Sequence, residues 1–239
     1  MTATLRTLHD RTPAQLEDLL VAMGEPAYRG RQLARGLFVR GCATPDELTD
    51  LPRALRERLV AEQGWLELET VESRPSADGT TKYLFGLADG ARIEAVAIAM
   101  PEGRRTFCLS SQVGCRMACV FCATARMGLV RQLTPGEIVG QVLRLKALHP
   151  TDRQPNLVFM GMGEPLDNFE NLAQALAILS DERGLGIGAR HITVSTSGVV
   201  EGIEALQDLQ RPYGLALSLT SPDADERRRL MPVAGAAPL

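Results

Sequence analysis

The chain is short of lysine, of histidine and of long apolar runs. Of its 26 basic residues only Lys82 and Lys146 are lysines, and histidine occurs three times in 239 residues. No apolar run approaches the ~18 residues that a membrane span needs, so no membrane segment is expected. The opening Met1-Thr2-Ala3-Thr4-Leu5-Arg6 soon meets His9, Asp10 and Arg11, which leaves no secretory apolar core. With no address of either kind, a cytoplasmic protein is expected. Solenoid-period repeats and low-complexity tracts are missing too. The formal net charge of -3 gives no overall footprint for nucleic acid. The arginine bias has two readings: a GC-rich genome produces it, and so does a phosphate-binding surface that uses guanidinium as a bidentate fork.

What is present is an ordinary apolar fraction of 45%. That composition excludes a disordered chain. The length suits one large domain, or a small domain joined to a larger one. The five cysteines are Cys42, Cys108, Cys115, Cys119 and Cys122. An odd number in a chain of this type argues against a structural disulfide framework. Four of them fall within fifteen residues, a metal or redox pattern.

Residues 1–64 read as a small helical domain. Thr12-Pro13-Ala14-Gln15 is a capping box with proline at the first helical position, followed by Leu16, Leu19, Leu20 and Met23 at helical spacing. Further helices are expected over 28–39, 45–50 and 52–63. Between Glu25 and Val60 seven arginines face five acids, a slightly basic stretch in an acidic protein. Residues 65–104 read as a connector of short strands with turns at Ala77-Asp78-Gly79 and Ala88-Asp89-Gly90, forming a small antiparallel sheet.

From residue 105 to 239 strand and helix alternate four times. Strands are expected at 106–110, 156–160, 191–195 and 215–219. Helices are expected at 134–148, 168–180, 199–209 and from 222, the first opened by the capping box Thr134-Pro135-Gly136-Glu137. Such alternation predicts an α/β fold of right-handed parallel units, with its chemistry at the carboxyl ends of the strands.

Cys115, Cys119 and Cys122 follow the spacing C-x₃-C-x₂-C. Three thiolates on one loop can hold three irons of a 4Fe-4S cubane and leave the fourth open. Zinc is the alternative, and it would want a fourth ligand, for which His149 and His191 are candidates. Phe121, just before the last cysteine, would shield a cluster from water. In Gly161-Met162-Gly163-Glu164-Pro165 the glycines allow close backbone approach and the carboxylate can pair with an ammonium.

This cysteine spacing after a first strand, with the later glycine-glutamate turn, resembles the radical S-adenosylmethionine (SAM) superfamily. Four longer blocks resemble the RlmN/Cfr family within it. They are Cys108-Leu109-Ser110-Ser111-Gln112-Val113-Gly114-Cys115, Phe121-Cys122-Ala123-Thr124, Asn156 through Pro165, and Thr193-Val194-Ser195-Thr196-Ser197-Gly198. Glu25-Pro26-Ala27-Tyr28-Arg29-Gly30-Arg31-Gln32 resembles that family's helical RNA-binding domain. The resemblance implies a partial (β/α) barrel with four of six βα units, a 4Fe-4S cluster on the three cysteines, and SAM at Gly163, Glu164, Ser195, Ser218, Leu219 and Thr220. It implies methylation of carbon 2 of an adenosine in 23S rRNA, and of tRNA as well, through an S-methylcysteine. Carbon 2 lies between two ring nitrogens and is electron-poor, so a radical route replaces attack on a methyl sulfonium. Glu94 aligns with the family's proton acceptor, and Cys108 with the resolving cysteine that forms a transient disulfide. An electron donor such as flavodoxin and a monomeric state are also implied.

Two features depart from the family. Thr220 stands where histidine is usual, and the chain as given ends before the last units, a SAM-binding asparagine and the methyl-carrying cysteine. On that basis this chain alone is not expected to complete the reaction. Methylation at carbon 8, and a truncated non-catalytic paralogue that holds RNA or a cluster without turnover, stand as the alternatives. A radical SAM enzyme on a small molecule fits the family blocks less well.

Overall fold

The structure is a computed structural model that describes residues 6–232; the readings of residues 1–5 and of 233–239 lie outside it. The expected N-terminal cap forms. Thr12 Oγ1 accepts from Gln15 N–H at 3.2 Å, while Gln15 Oε1 accepts from Thr12 N–H at 2.8 Å, opening α1 (Pro13–Ala22). The stretch expected as one helix over 28–39 divides into α2 (Ala27–Ala34) and a π-helical turn, Arg35–Arg40, closed by Gly41 in the left-handed region. The segment around 45–50 is only a 3-10 turn, Pro45–Glu47, because Pro45 and Pro52 bracket too few residues for a helix. α3 covers Arg53–Gln63.

Three antiparallel strands follow: β1 (Leu68–Pro75), β2 (Thr81–Leu87) and β3 (Arg92–Ala99). They do not form a sheet of their own. β3 pairs antiparallel with β4 (Arg105–Cys108), placing Val96 opposite Cys108. The hairpins thereby cover the open edge that the first parallel strand would otherwise present. A two-stranded ribbon, β5 (Gln112–Gly114) and β6 (Leu129–Gln132), brackets the cysteine segment. The parallel strands are β4, β7 (Asn156–Phe159), β8 (Ile192–Thr196) and β9 (Gly214–Leu217). The main sheet runs β1-β2-β3-β4-β7-β8-β9. The parallel strands are followed in turn by α4 (Pro135–Leu148), α5 (Phe169–Ser180), α6 (Val200–Asp208) and α7 (Ala224–Leu230), the four expected units. Among the described residues no helix is long and apolar enough to cross a membrane.

Alternation along the strands decides which residues reach the site. Ile93, Ala95, Phe107, Leu157, Phe159, Ile192 and Val194 are buried against the helices. Their neighbours Glu94, Val96, Cys108, Val158 and Ser195 therefore project to the opposite, half-exposed face.

The N-terminal helices dock on α4 through Asp10. This fully buried carboxylate accepts from Gly136 N–H at 2.6 Å, in the first turn of α4, where an anion is favoured. It also accepts from the backbone N–H groups of Arg6 and Thr7. Beside it His9 is buried edge-on against Trp65 and Phe38, and its Nδ1 finds no partner among the described residues. Burial holds His9 down to about 4, only partly offset by Asp10. The unfolded chain takes up this proton near 6.5 and the folded chain near 4, so His9 contributes stability that is present above 6.5 and lost as pH falls through that window. Between pH 7 and 4.5 the loss should be about 2–3 kcal/mol. Urea unfolding at both pH values should show it, and His9→Phe should flatten the difference by that amount. An equal pH dependence in the variant would show that other groups set the acid limb.

Candidate cofactor site

The carboxyl ends of β4, β7, β8 and β9 bring together the cysteine loop, the Gly161–Glu164 segment, the Ser197 turn and the Ser218-Leu219-Thr220 turn. Backbone bonds carry the β4–β7 and β8–β9 pairings only a few residues past the strands, and buried side chains join the rest. Gln112 is the first junction. Its Oε1 accepts from Glu164 N–H at 2.8 Å, and its Nε2 donates to Asp167 Oδ2 at 2.7 Å and to Gln132 Oε1 at 2.8 Å. Asp167 in turn pairs with Arg116 of the cysteine loop. Ser110, at the exit of β4, donates from Oγ to the Glu94 carbonyl at 2.5 Å and accepts from Met162 N–H at 2.9 Å. Gln141 of α4 holds both backbone groups of Ser110 at 2.9 Å.

Glu164 is 4% exposed and its carboxylate is already engaged: Oε2 accepts from Ser197 N–H at 2.8 Å and from Ser197 Oγ at 2.9 Å, and Oε1 from Leu166 N–H at 3.2 Å. It clasps the β7 turn to the β8 turn. Ammonium pairing by this carboxylate, which the sequence suggests, would have to share its oxygens with Ser197 and Leu166. Gly163 sits at φ +101, and an added Cβ would lie 2.6 Å from Gln112 Cβ, so both conformation and space demand glycine.

The other candidates fall as follows. Glu94 shares a face and one end of the sheet with Cys108, and its carboxylate pairs with Lys82 Nζ at 2.8 Å while 43% exposed. Burial pushes the Cys108 thiol above the ordinary range, and the backbone N–H of Met160 pulls it part of the way back. Ser195 Oγ donates to the Phe159 carbonyl at 2.7 Å, tying β8 to β7. Ser218 N–H donates to the Thr196 carbonyl at 2.8 Å, Leu219 is exposed, and Thr220 stands at φ +63, a strained setting for a β-branched residue. All five cysteines are free thiols.

Burial pushes the Cys115 and Cys119 thiols up, and Glu164 and their cysteine neighbours push them further, so these groups lie within electrostatic reach of one another. Among the described residues no three cysteine, histidine or acidic side chains are gathered closely enough to grip one ion. The donor set still fits a cluster with an open iron. Three soft thiols share one loop, and neither histidine joins them: His149 Nε2 bonds Tyr83 Oη at 2.7 Å and His191 Nδ1 bonds Asn156 Oδ1 at 2.8 Å. Ser111 Oγ, buried on the loop leading to Cys115, has no partner among the described residues. Phe121, expected from the sequence to cover a cluster, is 60% exposed on the turn closed by the Cys122 N–H to Cys119 carbonyl bond. A wide cleft of about 620 Å³ at Ser180, Asp181, Arg183 and Tyr213 lies between the end of α5 and the segment leading into β9, and none of these groups lines it.

Residues 109–236 match the radical SAM superfamily, and residues 7–63 match the ribosomal RNA large subunit methyltransferase N-terminal domain. This chain belongs to the RlmN family of radical SAM proteins. It is 48% identical to the probable dual-specificity RNA methyltransferase RlmN of Gemmatimonas aurantiaca, over 96% of this chain and 64% of that protein. The protein of the same description from Chloroflexus aurantiacus is 47% identical, over 95% of this chain and 62% of its own length. The chain therefore spans less than two thirds of these relatives. A radical SAM methyltransferase of Sphaerobacter thermophilus has the same fold, with a TM-score of 0.92 at 41% identity, covering 98% of this chain and 69% of that one. The α/β partial barrel and the family expected from the motifs are thus both found. Gln112, Arg116, Asp167 and Asn168, which stitch the RlmN-family site together, were not singled out in the sequence. Asn168 Nδ2 donates to the carbonyls of Ser111 and Leu133 at 2.8 and 2.9 Å.

Gly163→Ala should cost roughly 2–4 kcal/mol, the sum of left-handed strain and the clash with Gln112. Urea unfolding checks it. A loss within about 0.5 kcal/mol, the range of an ordinary surface change, would mean that Gln112 yields freely.

Proposed function

We propose that this chain carries the cofactor-binding and RNA-binding parts of a cytoplasmic methyltransferase acting on carbon 2 of an adenosine in 23S rRNA, and on tRNA as well. The observation that carries the reading is the junction Arg116–Asp167–Gln112, which fixes the cysteine loop to the Gly163-Glu164 turn at the carboxyl ends of the strands. The names of the relatives and the match of residues 7–63 support RNA as substrate.

In this reading Cys115, Cys119 and Cys122 hold a 4Fe-4S cluster, and the backbone of Gly163 and Glu164 with Ser195, Ser218, Leu219 and Thr220 receives SAM. Bound there, the two groups supply reductive opening of SAM, a hydrogen-abstracting radical and the methyl carbon, with an electron from a flavodoxin-type donor. The protein's own part is to position and to move protons. Glu94, on the face shared with Cys108, accepts the ring proton of the base, and Lys82 holds its carboxylate toward that face. The Cys108 thiolate attacks the sulfur that carries the product, forming an S–S bond as the bond from that sulfur to the product carbon breaks. The electron pair stays on that carbon, which takes up a proton to become the methyl group. The sulfur partner belongs to the whole protein. The N-terminal domain supplies less free charge than its arginine count suggests. Arg31, Arg40, Arg53, Arg56 and Arg58 all pair with acids, which leaves recognition to shape and to a few exposed groups.

In the full-length protein, Cys119→Ala should abolish the brown absorbance of the reconstituted cluster. Cys108→Ala should retain the cluster and accumulate a covalent protein–RNA adduct, visible as a retarded band that nuclease digestion collapses. A fully loaded Cys119→Ala cluster, or normal turnover by Cys108→Ala, overturns the respective role. Chromatography of the product nucleoside separates 2-methyladenosine from 8-methyladenosine, and the latter would replace carbon 2 by carbon 8.

A further inference from the structure

Arg227 of α7 is 4% exposed, yet no carboxylate among the described residues pairs with it. The acids on its own helix are committed elsewhere. Glu226 accepts from Ser221 Oγ at 2.6 Å, Asp223 caps Glu226 N–H at 2.7 Å, and Asp225 pairs with Arg228 at 3.0 Å. A buried guanidinium is costly unless its donors are met. Here two backbone carbonyls take two of its five N–H donors. Nη2 donates to Ser197 O at 2.7 Å and Nε donates to Leu219 O at 3.2 Å.

Those carbonyls belong to two different turns of the site. Ser197 is the residue clasped by Glu164 at the end of β8. Leu219 lies between Ser218 and the strained Thr220 at the end of β9, and Thr220 Oγ1 reaches Met231 Sδ at 2.9 Å just beyond α7. The last turn of α7 reaches the cysteine loop as well, since the Leu230 carbonyl accepts from Val120 N–H at 3.0 Å. One short helix therefore grips the β8 turn, the β9 turn and the cysteine loop.

We infer that Arg227 is a positioning residue: it holds the Ser218-Leu219-Thr220 turn against Ser197 in the shape that receives SAM, at a distance from the cysteine loop set by α7. The inference rests on the reading of that turn as a SAM contact. A guanidinium suits the task because its planar fork reaches two carbonyls at once, whereas an ammonium on a flexible stem cannot hold both in register.

The test uses the full-length protein reconstituted with iron and sulfide. Arg227→Gln should keep its iron content and far-UV spectrum but weaken SAM binding about tenfold in equilibrium dialysis. The change that SAM produces in the EPR spectrum of the reduced cluster should shrink accordingly. Arg227→Lys should recover part of the affinity. Because Arg227 acts through the turn, its effect on SAM affinity and that of Ser218→Ala should combine non-additively. Wild-type SAM affinity in Arg227→Gln, or strict additivity with Ser218→Ala, overturns the inference. If Arg227→Gln does not fold, Arg227→Lys decides: full iron with weakened SAM binding supports the role, and unaltered binding overturns it. A wild-type cluster whose EPR spectrum SAM leaves unchanged would instead overturn the cofactor reading on which the inference rests.

Discussion

Loops at the carboxyl edge of a parallel sheet carry backbone donors and acceptors that the strand ladder soon ceases to satisfy, here within a few residues of the strand ends. The shape of this site follows from how that shortage is met. Four buried side chains do much of it: Glu164, Asn168 and Arg227 bond chiefly to backbone of neighbouring loops, and Gln112 joins the Glu164 amide to the side chains of Asp167 and Gln132. Each bridges two segments that are far apart in sequence. The result is a closed circuit, from the cysteine loop through Asp167 and Gln112 to Glu164, on through Ser197 and Arg227 to Leu219, and back through Leu230 to Val120.

Such a circuit is stiff where it is buried and soft where it is not. Cys115 is buried beside Gln112 and Glu164, whereas Cys119, Cys122 and especially Phe121 lie outward. Burial, Glu164 and neighbouring cysteines disfavour ionisation of Cys115 and Cys119, and among the described residues no three such groups are drawn together into an ion-binding set. With their ionisation disfavoured these groups rest as neutral thiols, and a multivalent cationic centre would reverse that balance by favouring the thiolate form.

What was legible in the sequence was local. The capping boxes at Thr12 and Thr134, the four strand-helix units and the cysteine spacing all depend on residues within a turn or two of each other, and all appear in the structure. The pairing of β3 with β4 was not legible, because a strand's period says which face it buries and nothing of which neighbour it takes. Neither was Arg227, which in sequence is one of three consecutive arginines on a short helix. Only the fold shows that Arg228 faces an acid at the surface while Arg227 turns inward to two carbonyls. Glu164 stands out in the sequence through its glycine-glutamate turn, but Ser197, 33 residues on, supplies two bonds to its carboxylate that no local pattern shows.

The same distinction bears on how the two halves of the molecule communicate. Asp10 binds the first turn of α4, Glu137 in that turn holds Arg131 of β6 through two bonds of 2.8 Å, and Gln141 one turn later holds Ser110. Within two helical turns, the N-terminal helices, the ribbon flanking the cysteine loop and the exit of β4 meet on one rigid element. A displacement of the N-terminal helices that moved α4 by a fraction of an ångström would have to break buried charge-assisted hydrogen bonds or carry Ser110 with it. Because Ser110 in turn holds the Glu94 carbonyl and the Met162 amide, the docking of the N-terminal helices and the placement of the site are one packing problem. A helix used in this way cannot accept substitutions independently at its three partners. Its first two turns are buried almost continuously from Pro135 to Val142, which is what that constraint requires.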